Sequence, residues 1–152
     1  MKAEERSLDI FTDDVVEVIV AARGYASSMR HEFVTLEHVA YAMVSLVKNT
    51  ADIFATLGIA KVEKIKRSLL SHLAQMEVVP PFVPDYELEE SLNFVAVMDI
   101  ISKRVKMEKK EGEKVSLAMF MGVFVQFNPS MCFASKVFQS VIKEDMPSFM
   151  VK

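Results

Sequence analysis

Three of the chain's five prolines fall inside one octapeptide, VVPPFVPD at residues 78–85, and that cluster constrains the fold more than any other feature. Proline has no amide hydrogen, fixes φ and pushes the residue before it out of the helical region, so neither a helix nor a central strand runs through this stretch. The chain is thereby divided near its middle. On both sides apolar residues recur at spacings of three and four, and polar breaks stand where the paired turn residues of hairpins would be. The expectation is an all-α fold in two parts, repeat 1 at about 10–77 and repeat 2 at 87–152, joined by a linker at 78–86.

In the first part Thr12 is placed to cap a helix running to about Met29, with Asp13 and Asp14 in its first turn. The β-branched run VVEVIVAA would suit a strand, but its length, acidic start and missing turn signal select helix. Thr35 starts a second helix that puts Leu36, Val39, Ala40, Met43 and Val47 on one face. A third starts after Thr50 and stops at Gly58, and a fourth covers about Val62 to Met76, burying Val62, Ile65, Leu69, Leu70 and Leu73. Beyond the linker a long helix from about Glu87 to Lys109 carries the stripe Phe94, Val97, Met98, Ile101 and Val105, and EKKEGEK breaks it at Gly112. Ser116 caps a helix through Phe127 that is apolar almost all round and so belongs at the centre of the core. Asn128 and Pro129 end it, Ser130 starts the next, and a short segment from about Glu144 closes the chain.

The two parts share one plan. Laying Val34-Thr35-Leu36 over Val115-Ser116-Leu117, an offset of 81 residues, superposes Ile19 on Ile100, Val20 on Ile101 and Met43 on Phe124. The architecture expected is therefore a pseudo-twofold tandem repeat of two four-helix units.

A net charge of −3 argues against phosphate backbones or anionic lipid as partners, so neither nucleic acid nor membrane is expected. The longest apolar run, Leu117 to Val125, is far shorter than the roughly 20 residues of a membrane span. MKAEERSLDIF lacks the apolar core of a secretory signal, and the single Cys132, in the apolar run SMCFA, reads as a buried thiol. A soluble cytoplasmic protein is expected. The four glycines are isolated, so no phosphate loop of the G-x-x-x-x-G-K type exists. His31, His38 and His72 lack both an H-E-x-x-H zinc helix and cysteine ligands, and no serine has a nucleophile's context. Neither catalytic residues nor a bound metal or cofactor is expected in this chain. A metal-dependent hydrolase on His31, His38 and nearby glutamates is the enzymatic rival, and stoichiometric metal would revive it. The stretch KRVKMEKKEGEK at 103–114, with six bases and three acids, reads as a solvated face. The eleven Met and eleven Phe are mostly core, and still allow an adaptable peptide-binding groove.

RHEFVTLEH, residues 30–38, concentrates charge in an otherwise apolar chain. Helix capping by Thr35 and a helix-dipole role for Glu37 explain part of it. Arg30, His31 and Glu32 remain as a charged loop on a helical scaffold, where binding residues tend to lie.

RHEFVTLEHVAYAM resembles the signature at the start of the N-terminal domain of ClpA-type AAA+ unfoldases. That domain is a tandem repeat of four-helix units, so the likeness extends over nearly the whole chain, with VSLAMFMGVFVQFNPSMCFASKVF a looser second copy. The resemblance implies a non-catalytic docking domain on a hexameric unfoldase that feeds a ClpP-type peptidase. It further implies that the domain binds a ClpS-type adaptor delivering substrates with destabilising N-terminal residues. The family's adaptor-contacting acids carry over onto Glu32 and Glu37, with Arg30 and His31 beside them as candidate partner-binding residues. ATP and Mg would belong to the AAA+ modules, which this sequence does not contain. The charge of MEKKEGEK leaves a ClpC-like or divergent adaptor specificity open. Two readings follow: an excised docking domain, or a stand-alone Clp-N-like regulator that acts on an unfoldase in trans.

Overall fold

The structure is a computed structural model and describes residues 8–46, 59–108, 114–127 and 132–142. Within them six helices follow one another: α1 (Asp13–Ser28), α2 (Leu36–Ser45), α3 (Ile59–Ala74), α4 (Leu92–Glu108), α5 (Leu117–Gln126) and α6 (Phe133–Ile142). The all-α expectation holds. The helix placed after Thr50, Val47, the charged residues 109–113, Ser130 and the segment from Glu144 lie outside the described residues.

Two helix starts behave as their sequences predict. Thr35 Oγ1 accepts from the His38 amide at 3.4 Å while His38 Nδ1 accepts from the Thr35 amide at 3.0 Å, a reciprocal capping box with histidine at the third helical position. Ser116 Oγ accepts from the Met119 amide at 3.2 Å. Thr12 differs from expectation: its hydroxyl donates to the Asp14 carboxylate, and Asp14 accepts from the Val15 amide at 2.9 Å. The carboxylate is the stronger acceptor, so it takes the cap and Thr12 becomes a donor to it. The long helix starts at Leu92 instead of near Glu87, because Glu89 and Glu90 are held in extended backbone and Ser91 Oγ caps through the Phe94 amide at 3.2 Å.

Two short strands were not legible in advance. β1 (Phe33–Val34) pairs in parallel with β2 (Glu89–Glu90), in the register Phe33 with Glu89 and Val34 with Glu90. A second parallel bridge joins Phe11 to Val115. The two are counterparts: the Ser91 amide donates to the Val34 carbonyl at 3.0 Å, and the Thr12 amide to the Val115 carbonyl at 3.0 Å. In each case the residue immediately before one part's long helix is bonded to the residue two places ahead of the other part's capped helix. The halves thus exchange backbone reciprocally about the pseudo-twofold.

This symmetry corrects the residue matching in the long helices. Val15, Val18, Ile19 and Ala22 are buried in α1, and Phe94, Val97, Met98 and Ile101 are buried in α4, a constant offset of 79. An offset of 81 would set buried Ile19 on Ile100, which is 37% exposed, and Val20, which is 53% exposed, on buried Ile101. The 81-residue offset does hold for α2 against α5, so the connector between long and capped helix is two residues longer in the second half.

One apolar core runs through both halves. α1 packs on α2, α2 on α3 and α6, α3 on α6, and α5 on α4, α6 and α1. Phe120, Met121 and Phe124 of α5 are fully buried, with Phe124 edge-on to Phe138 at 5.6 Å and Phe120 tilted against Phe11 at 5.9 Å. In α3 the buried stripe is Ile65, Leu69 and Leu73; Leu70, expected inside, is 41% exposed because it stands about 100° round the helix from Leu69. Among the described residues no helix is long and apolar enough to cross a membrane.

Candidate docking edge

The charged loop follows the end of α1, where the chain turns through a left-handed residue. The His31 amide donates to the Ala26 carbonyl at 2.9 Å and the Arg30 amide to the Ser27 carbonyl at 3.0 Å, the double bond pattern of a helix end closed by a left-handed residue. That residue is Arg30, at φ 58°, where glycine would be less strained. Its side chain shows what holds it there. Nε donates to the Val79 carbonyl at 3.1 Å, and Nη2 to the carbonyls of Pro80 at 2.9 Å and Val83 at 2.6 Å. The guanidinium also lies 5.5 Å from the centre of the Tyr86 ring, whose hydroxyl donates to the His31 carbonyl at 2.9 Å. Prolines remove amide donors from this stretch, and Arg30 adds donors to three of its carbonyls. These bonds fasten the linker to the first half.

His31 is 2% exposed, and its Nδ1 lies 2.8 Å from His38 Nε2. Because His38 Nδ1 accepts from the Thr35 amide, His38 Nε2 carries the proton and donates to His31 Nδ1. His31 in turn bonds the Leu73 backbone, so the pair ties the start of α2 to the end of α3. Burial lowers both pKa values, that of His38 to about 3, with the neighbouring His31 and His72 acting in the same direction. The imidazoles are neutral structural links.

Glu37 also faces inward, at 9% exposure. Its Oε2 accepts from the Ala134 amide at 2.9 Å and from the Cys132 thiol at 3.5 Å. One carboxylate therefore sits in the first turn of its own helix and also caps the start of α6, 97 residues away, where free amides and the helix dipole favour negative charge. The side chains of His31 and Glu37 are thus buried and bonded within the domain. Cys132, buried as expected, has its thiol pKa raised mainly by burial.

Glu32 is the one of the four that stands in solvent. Its carbonyl accepts from the Glu89 amide at 3.2 Å, and the neighbouring Phe33, 37% exposed, is paired directly with exposed Glu89. Phe82, 83% exposed, crowns the linker turn closed by the Val83 amide and the Pro80 carbonyl at 3.0 Å. The edge thus combines Glu32, Glu89 and Phe33 on paired backbone that Arg30 and Tyr86 brace from behind. Among the described residues no group of three or more His, Cys, Asp or Glu is placed to hold a metal ion.

The family model of the Clp repeat N-terminal domain matches residues 10–124. This chain belongs to the Clp repeat N-terminal domain family. The fold agrees with that of the Hsp104 N-terminal domain from Candida albicans, with a TM-score of 0.70 over 93% of this chain and 87% of that one, at 15% identity. No curated protein sequence matches the chain. The matched span takes in the whole edge of this Clp N domain, from the Phe11 bridge through β1 and the linker to β2. Glu89 and Phe33 were missed in the sequence because parallel pairing between residues 56 apart, over two residues per strand, leaves no alternation to read.

Proposed function

We propose that this Clp N domain is a non-catalytic docking module of a cytoplasmic ATP-dependent Clp chaperone-protease, receiving a ClpS-type adaptor and, through it, substrates for unfolding. Nucleotide chemistry would belong to AAA+ modules and peptide cleavage to a ClpP-type peptidase, both outside this chain. The observation that carries the reading is the edge itself: exposed Glu32 and Glu89 and a partly exposed Phe33, paired with Glu89, share backbone tied in place by cross-half hydrogen bonds. Carboxylates on such an edge steer a cationic partner and set orientation, while an exposed aromatic supplies contact area. Membership of the Clp repeat N-terminal domain family supports it.

Titration calorimetry of the domain with a ClpS-type adaptor tests the reading, with Glu32→Lys and Glu89→Lys alongside. Each reversal is expected to weaken binding by about tenfold, equivalent to about 1.4 kcal/mol, without lowering the melting temperature. Undiminished affinity in both variants removes the edge from the interface, and no binding by the folded wild type removes the adaptor.

A further inference from the structure

A second surface differs from the edge in charge and in lining. Between α3 and the start of α6 lies an open groove of about 540 Å³ lined by Lys64, Arg67, Ser68, Ser71 and Phe133. The four α3 residues recur at spacings of three and four and so share one helical face. Lys64 and Arg67 are exposed, and Arg67 is steadied along the helix by its Nε donating to the Glu63 carbonyl at 3.4 Å. Phe133 stacks on His72 at 4.2 Å with 10° between the rings, which fixes it as a flat apolar wall.

We propose that this groove binds an extended acidic peptide segment carrying an apolar residue. Two cations three residues apart match carboxylates on a strand-like segment, the serine hydroxyls match its backbone carbonyls, and Phe133 offers a surface to one apolar side chain. Charge decides the occupant. In a chain whose net charge is −3, Lys64 and Arg67 give this groove a local positive field that favours an acidic segment over a basic one. Two lysine- or arginine-type contacts are too few to hold a polyanionic strand against that net charge, which sets nucleic acid aside. The groove is independent of the docking edge, so a Clp N domain with this chemistry has two separate recognition surfaces of opposite sign.

Fluorescence anisotropy with the whole chain and a labelled decapeptide of aspartate and glutamate around a central phenylalanine tests this. Binding is expected to weaken severalfold between 0.05 and 0.5 M salt, as the screening length falls from about 14 Å to about 4 Å, and by tenfold or more in Lys64→Glu/Arg67→Glu. Replacing the phenylalanine by serine should weaken it further, and a lysine decapeptide should not compete. Absence of binding, equal binding by the double variant, or preference for a single-stranded oligonucleotide of equal charge would each overturn the proposal. A normal melting curve for the double variant separates loss of the groove from loss of the fold.

Discussion

Acidifying the protein from pH 7 to pH 5 should cost the fold about 2 kcal/mol through His38 alone. In the unfolded chain this imidazole takes up a proton near its ordinary value of about 6.5. In the folded chain it resists until about pH 3, because it is fully buried with its Nδ1 already accepting from Thr35. Between those values the unfolded state holds the extra proton, so stability falls with pH by up to about 1.4 kcal/mol per unit. The sign follows from a depressed folded pKa on a base: the stabilisation is complete above 6.5 and is lost as pH falls towards 3. No solvent discount applies to a side chain with 0% exposure. For a chain of this length the loss by pH 5 lowers the melting temperature by about 4–8 °C. Calorimetric melts at pH 7, 6 and 5 should be run on the wild type and on His38→Gln. Glutamine completes a Thr-x-x-Gln capping box without titrating. The variant should lose less stability on acidification by about 2 kcal/mol, the carboxylates being common to both. Parallel pH profiles would refute the reasoning.

Glu37→Ala should destabilise by about 2 kcal/mol, read by urea titration, because it leaves the α6 amides without their charged acceptor; Glu37→Gln should recover part of that. Arg30→Gly relieves left-handed strain of about 1 kcal/mol but removes three donors to the linker, so a net loss and faster proteolysis at residues 79–83 are expected. Phe124→Ala empties a site at the contact with Phe138 and should cost about 3–5 kcal/mol in the same titration. Cys132 should resist thiol-labelling reagents in the native protein and react on unfolding, since burial both shields it and raises its pKa.

What the sequence disclosed is what is decided locally. The caps at Thr35 and Ser116 are three-residue patterns, and the central place of α5 follows from its being apolar almost all round. The linker was visible because proline acts on its own residue and the one before it. Glu37 misled because a glutamate in a first helical turn already has a sufficient local reason, and its second duty lies 97 residues away. Arg30 misled for the opposite reason: a charged side chain in a loop looks available until the carbonyls it meets, 49 to 53 residues on, are known. Glu32 is bonded through its backbone to Glu89 while its side chain stands in solvent. The 79-residue offset of the long helices was hidden by aliphatic neighbours, Ile19 and Val20 against Ile100 and Ile101, which match equally well in a wrong frame.

The reciprocal bridges, Val34 to Ser91 and Val115 to Thr12, make neither half self-sufficient. Each capped helix begins on backbone whose bonding is completed only when the other half is already in place, and the core is common to both. Such a molecule should melt as one unit, with no state in which one repeat survives the other. Its geometry is that of a symmetric dimer written on a single chain, with the linker at 78–86 as the covalent tether that spares the halves from having to find each other by diffusion.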